Sequence, residues 1–150
     1  MSSTITPATL TVTHTEAITL NGVDRGVTNT LTIASINEVD NRIMTVDTAA
    51  ARTLLTLEAT VGPGAFLSAN IKYIRITNKD NTNFVILGIL ENSGETAYVK
   101  LEAGQTFCMY NNDLETFTDG SAFSAFTNID KFNAQADTAS VDLEVFVAST

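Results

Sequence analysis

The sequence predicts an all-β fold: an antiparallel β-sandwich, jelly-roll-like, of about eight strands, in a single domain spanning residues 1–150. Three observations predict it. Apolar and polar residues alternate with a period of two in several short runs, as strands with one buried and one wet face require. Turn signals recur about every ten residues between those runs, the spacing of a sandwich or barrel. Thr, which is β-branched and suits a strand's solvent face, occurs 24 times, while Lys and Glu, which exposed helix positions favour, are scarce. With 150 residues, 44% of them hydrophobic, the chain can bury a core without metal or disulfide support.

The elements follow in order. MSSTITPATL reads equally as an extended arm over residues 1–10 or as a frayed terminus. Ala8 to Leu20 alternates: Ala8, Leu10, Val12, His14, Glu16, Ile18 and Leu20 share one phase, and the other is almost all Thr. Asn21-Gly22 is a strong turn signal. Thr28–Ala34, Arg42–Val46 and Arg52–Ala59 are further strands, and DTAAAR between the last two suits a helical turn. VGPGAF is a loop, YIRITN a strand and KDNTN a polar turn. FVILGIL is apolar on both phases and reads as a central buried strand, with Gly88 marking a bulge or a close backbone approach. YVKLEAGQTFCMYNN reads as a hairpin turning at Ala103-Gly104, with Val99 and Leu101 inward and Lys100 and Glu102 in water. Residues 111–140 read as a long loop with one short helix or strand, and SVDLEVFVA as a last alternating strand.

The net charge is −9 and the pI about 4.3, which argues against nucleic acid or an anionic membrane as a partner. Residues 1–75 hold six acids and five bases, residues 76–150 eleven and three. That asymmetry suits a solvated acidic surface, or a face for a basic partner or divalent cations. No stretch has the length and apolarity of a membrane span, and the N-terminal residues lack a signal peptide's basic and apolar regions. Synthesis in a cytoplasm is the expectation. Cys108, the sole cysteine, permits no internal disulfide and reads as a buried, inert thiol without a cationic neighbour nearby in sequence.

The search for chemistry returns no catalytic, cofactor-binding or metal-binding residues and no cofactor. His14 is the only histidine, so every triad would need it; it reads as a packed or subunit-interface residue, against a catalytic or pH-sensing role. Glu16, in the same phase, suggests that this strand leaves the core and faces another subunit. Asp142 with Glu144, and Asp113 with Glu115, have the spacing of one strand face and read as solubilising pairs, against glycosidase carboxylates. Asn111, Asn112, Asp113, Glu115 and Asp119 supply oxygens for a loop Ca²⁺ site without matching a known loop. Gly62, Gly64, Gly88, Gly94 and Gly104 form no phosphate-binding pattern. Tyr73, Tyr98 and Tyr110 read as packed or interface tyrosines, against a sugar platform. A chain rich in Thr and neutral surface suits repeated subunit contacts instead.

Four stretches together, TLTIASINEVDNRIMTV, YIRITNKDNTNFVILGILE, YVKLEAGQTFCMYNN and FNAQADTASVDLEVFVA, resemble small virion structural proteins of tailed phages, particularly those of marine cyanobacteria. The resemblance covers roughly residues 30–148. It implies a β-sandwich unit that decorates capsids or builds tails, usually as trimers or larger rings. It carries no catalytic residues. The implied partners are copies of the chain and the major capsid protein or other virion proteins, and the implied location is the virion. Within that class a capsid decoration or cement protein is the first expectation, and a tail, adaptor or fibre component the alternative. A carbohydrate-binding jelly roll for host attachment is the rival from another class, and a small hydrolase the least supported.

Overall fold

The computed structural model describes residues 5–60, 62–91, 96–110 and 129–150, and they fall into two compact units divided between Asn37 and Glu38.

In the first unit, β1 (Ala8–Glu16) pairs antiparallel with β4 (Val27–Ile36), and between them lies a miniature hairpin of β2 (Thr19–Leu20) and β3 (Val23–Asp24). Asn21 and Gly22 turn that hairpin with φ of 53° and 77°. Positive φ at both central positions is what a two-residue turn matching strand twist demands, and Asn-Gly supplies it cheaply. The register sorts the ribbon's side chains cleanly. Thr11 faces Thr32, Thr13 faces Thr30 and Thr15 faces Thr28, the last pair with hydroxyl oxygens 3.2 Å apart. On the opposite side Leu10 faces Ile33, Val12 faces Leu31, His14 faces Asn29 and Glu16 faces Val27. The alternation seen in sequence therefore makes a ribbon with one threonine face and one largely aliphatic face. A side chain at Gly26 would run into the Glu16 carbonyl and the Ala17 backbone, neither of which can swing aside. Gly26→Ala is expected to cost about 1–2 kcal/mol locally, the scale of a strained backbone. Amide exchange around Glu16 and Val27 should then quicken by roughly tenfold while the melting of residues 38–150 stays put.

The second unit holds the sandwich. Its strands are β5 (Glu38–Val46), β6 (Arg52–Glu58), β7 (Phe66–Leu67), β8 (Ile71–Asn78), β9 (Val85–Glu91), β10 (Thr96–Leu101), β11 (Thr106–Met109), β12 (Ile129–Ala136) and β13 (Val141–Ser149). One sheet runs β11-β8-β13-β5 and the other β10-β9-β12-β6-β7. Setting aside the two-residue β7, which pairs parallel with β6, eight strands remain. Numbered one to eight along the chain, they stack as 1-8-3-6 against 2-7-4-5. The antiparallel pairs are thus first with eighth, second with seventh, third with sixth and fourth with fifth: one long hairpin rolled into two sheets, the jelly roll expected from the sequence.

The roll corrects several expectations. All sandwich strands fall within 38–150, so β1 and β4 form their own sheet rather than contributing to it. YVKLEAGQTFCMYNN is not a hairpin: β10 pairs with β9 and β11 with β8, so the turn at Gly104 (φ 73°) carries the chain from one sheet to the other. Residues 47–50 bend without forming a helix, because the Asp47 side chain accepts from the amides of Ala49 and Ala50 and draws the chain round on itself. β9 is central in its sheet as expected, yet Ile86 is 45% exposed, so only one face reaches the core. Gly88 does mark a close approach: the Asn133 side chain lies where a Cβ would stand. Within 111–140, β12 is a full strand, with Phe132 in the core; residues 111–128 lie outside the described set.

The core is a continuous layer of Leu, Ile and Val between the sheets, with Phe132 at its centre. Leu54 and Leu55 are both buried although adjacent in sequence. The pairing explains it: Phe132 faces Leu55 and Asn133 faces Thr53, so Leu54 is the extra residue of a bulge. Arg42 donates from Nη2 to the Leu54 carbonyl (2.6 Å), partnering a group that the ladder leaves out.

Candidate interaction surfaces

The aliphatic side of the β1–β4 ribbon is the most unusual surface. A two-stranded ribbon alone is at best marginally stable in water. Here Ile18, Leu20, Val23, Val27 and Leu31 remain 40–58% exposed, and Leu10, Val12 and Ile33 are only half-buried. His14 and Glu16 belong to this row, as their phase in the sequence required, and both are exposed.

A second surface is the outer face of the four-stranded sheet. Every other residue of β13 points away from the core, and register sets Glu144 beside Thr77 and Phe146 beside Arg75. Arg75 donates from Nη2 to Glu144 Oε1 (2.9 Å) and from Nη1 to the Thr77 hydroxyl (2.7 Å), and its guanidinium carbon lies 5.7 Å from the Phe146 ring centre. Tyr73 packs edge-on to Phe146 at 5.9 Å and tilted against Tyr110 at 5.4 Å. Burial, followed by its contact with Cys108 (3.7 Å from hydroxyl to Sγ), pushes the Tyr73 hydroxyl well above its ordinary value. So Tyr73 and Tyr110 are packed, as anticipated. Cys108 is half-buried rather than buried, and a cation does stand beside it: Arg75, directly across the strand pair. Sequence proximity missed that neighbour because the two residues lie on different strands.

Asp142 and Glu144 share this face, but each is engaged structurally. Asp142 accepts from the Thr45 hydroxyl (2.6 Å) and Glu144 from Arg75. The hydrogen bond from Arg75 holds the Glu144 carboxyl below its usual value, and Glu144 in turn raises Arg75. The folded state therefore binds a proton at Glu144 less readily than the unfolded chain does. This pair's stabilisation is full above the unfolded carboxylate range and is lost as pH falls through the lowered folded value. Glu144→Gln is expected to flatten the acid limb of a stability-versus-pH curve and to cost about 1 kcal/mol at neutral pH, the scale of a partly exposed ion pair. Urea titrations from pH 3 to pH 7 would read both.

A third surface is the outer face of the five-stranded sheet. Tyr98, 70% exposed, sits on edge strand β10 opposite Gly88, which is itself opposite Asn133. Lys100 lies on the same face, 2.7 Å from Glu102 and 4.0 Å above the Phe84 ring. A fourth feature is an open cleft of about 540 Å³ between the start of β5 and the Gly62–Leu67 loop. Glu38, Asp40, Arg42, Asn70 and Ser149 line it. Its polar groups mostly bond one another: Asp40 pairs with Arg42 (3.1 Å), and Ser149 donates to Glu38 (3.3 Å).

Gly62, Gly64 and Gly104 lie in connections on the sandwich, and Gly94 lies outside the described residues. Asn111, Asn112, Asp113, Glu115 and Asp119, the oxygen donors of the suggested Ca²⁺ loop, lie outside them as well. Among the described residues no three His, Cys, Asp or Glu side chains gather as a metal site would require, and no helix is long and apolar enough to cross a membrane. A scan against protein-family models finds no match, and searches of curated proteins and of solved structures find none either.

Proposed function

We propose that the chain is a virion structural protein of a tailed phage, acting as a capsid decoration or cement protein that strengthens the shell through contacts between subunits. The observation that carries this reading is the ribbon, whose aliphatic row stands open to solvent. A part with no core of its own is built to gain one from a neighbour. Three further points support it. The jelly roll is an architecture that capsid proteins use. Four stretches of the sequence resemble virion proteins. The polar groups gathered on the sandwich surface bond one another rather than converging on an open position. The partners in this reading are copies of the chain and the major capsid protein or other virion proteins, and the location is the virion. Particles assembled without the protein should form, yet lose genome at lower temperature or under milder osmotic shock than complete ones. Equal robustness would sink the cement role; particles with normal heads that fail to infect would move the protein to the tail, adaptor or fibre.

One observation favours a second reading. Tyr98 offers an open aromatic ring on the sheet face that also carries the Asn133 side chain, one strand away across Gly88, and a ring and an amide on one face can stack on a sugar ring and bond its hydroxyls. A glycan array probed with the wild-type chain and with Tyr98→Ala would detect it: hits lost in the variant mean host attachment, and a blank array removes this reading.

A further inference from the structure

We infer that Asn21-Gly22, the turn between β2 and β3, is a self-modification site, where the chain converts its own asparagine to aspartate or isoaspartate. The inference stands apart from the assembly reading and needs no co-reactant but water.

The chemistry is that of a neighbouring amide. The Gly22 backbone nitrogen gives up its proton to solvent and attacks Asn21 Cγ. An N–Cγ bond forms, the Cγ–Nδ2 bond breaks, and the side-chain nitrogen leaves as ammonia with a proton from solvent. The product is a cyclic imide, which water opens on either side. Addition at Cγ restores the original main chain with an aspartate at position 21. Addition at the main-chain carbonyl carbon leaves the chain running through Cγ, which is isoaspartate. Nothing is oxidised or reduced.

The sequence and the geometry both point to this pair. Asn21 is the only asparagine followed by glycine. Every other one precedes a residue with a side chain, whose Cβ crowds the attacking nitrogen; glycine has none. Both residues are exposed, and no atom lies within 4 Å of where a Cβ on Gly22 would stand. Among the described residues, no hydrogen bond holds the Asn21 side chain or the Gly22 amide. The turn that fixes their backbone is itself lightly held. β2 and β3 contribute only the pairs Thr19–Asp24 and Leu20–Val23, backed by the bond from the Arg25 amide to the Ile18 carbonyl (2.9 Å). So short a hairpin frays readily, and fraying frees the Asn21 backbone to bring nitrogen and Cγ together.

The reaction would change the tip in two ways. Either product sets a carboxylate between the exposed Leu20 and Val23, and takes residues 1–37 from two acids and one base to three and one. Isoaspartate also adds a methylene to the main chain. A two-residue turn cannot absorb it, so the Leu20–Val23 pairing is lost. The apolar tip of the ribbon is thereby marked with the age of the molecule.

The test uses the full chain, held at pH 7 and at pH 9 and sampled over time. Trypsin cuts after Arg25 and Arg42. Fragment 1–25 contains Asn21 as its one asparagine, and fragment 26–42 contains Asn29, Asn37 and Asn41 as internal references. At pH 7 fragment 1–25 should gain the mass that separates an acid from an amide about tenfold faster than fragment 26–42, since only its attacking residue lacks a Cβ. The gain should quicken at pH 9, where the amide nitrogen loses its proton more often, and the products should include isoaspartate. Asn21→Gly, which suits the positive φ of that position, should leave fragment 1–25 unchanged in mass. Equal rates in the two fragments overturn the inference, and so does a mass gain that persists in Asn21→Gly. Aspartate without isoaspartate also overturns it, because water would then have attacked Cγ without the Gly22 nitrogen.

Discussion

Replacing Phe132 with Ala should remove about 3–5 kcal/mol of stability, the range for deleting a fully buried aromatic side chain. Phe132 has no exposed surface, sits between Leu55 and Ile89 on its two neighbouring strands, and faces Phe107 with ring centres 6.4 Å apart. Its site joins the inner faces of both sheets, so the cavity cannot collapse without moving β12 itself. In a domain of this size each kcal/mol moves the midpoint by roughly 2–4 °C, so a fall on the order of 10 °C is expected in calorimetry. Phe107→Ala, half-buried at the rim, should cost clearly less. If the two variants melted together, Phe132 would not be the centre of the core.

Asn78 should be nearly as sensitive, for a different reason. It is a buried polar side chain at the end of β8, where the chain crosses to the other sheet. Its amide nitrogen donates to the carbonyls of Asn83 (2.9 Å) and Leu101 (3.2 Å), and its oxygen accepts from the Asp80 amide (2.9 Å). Asp80 continues the network by accepting from the amides of Asn83 and Thr82, which hold its carboxyl below the usual range. Asn78→Ala leaves these backbone groups short of a partner inside the protein, an expected loss of about 2–3 kcal/mol. Asn78→Asp is a sharper probe. It retains the acceptor but aims a carboxylate at two carbonyls, so its folded-state pKa must rise. Its deficit should therefore shrink as pH falls below the normal carboxylate range and grow above it. A deficit independent of pH in urea titrations would mean that the network is not closed to water.

These two positions also show where sequence reading succeeds and stops. Phe132 falls in a segment, 111–140, whose polarity predicts a long loop with one short helix or strand, because β12 alternates apolar residues with Asn and Gln that look solvated. In place, those residues line the outer face of the five-stranded sheet. Asn78 reads as the last residue of a strand, and no local signal announces that its side chain ties three backbone groups together.

What the sequence determined by itself was local. Period-two alternation placed most strands, β-branched residues made them strands, and Asn21-Gly22 fixed a hairpin, because neighbours along the chain decide these matters through sterics and side-chain direction. It also set the two faces of the ribbon, since alternation is the same whether the apolar side meets a core or solvent. The tertiary structure decided which strands pair. Whether the turn at Gly104 closes a hairpin or carries the chain across the sandwich depends on where β8 and β9 already lie, which no local signal encodes. It decided that Arg75 stands beside Cys108 and Glu144, residues 33 and 69 positions away in the chain. And it decided that β1 and β4 pair with each other in a sheet of their own, with the aliphatic row of that ribbon half-buried to exposed.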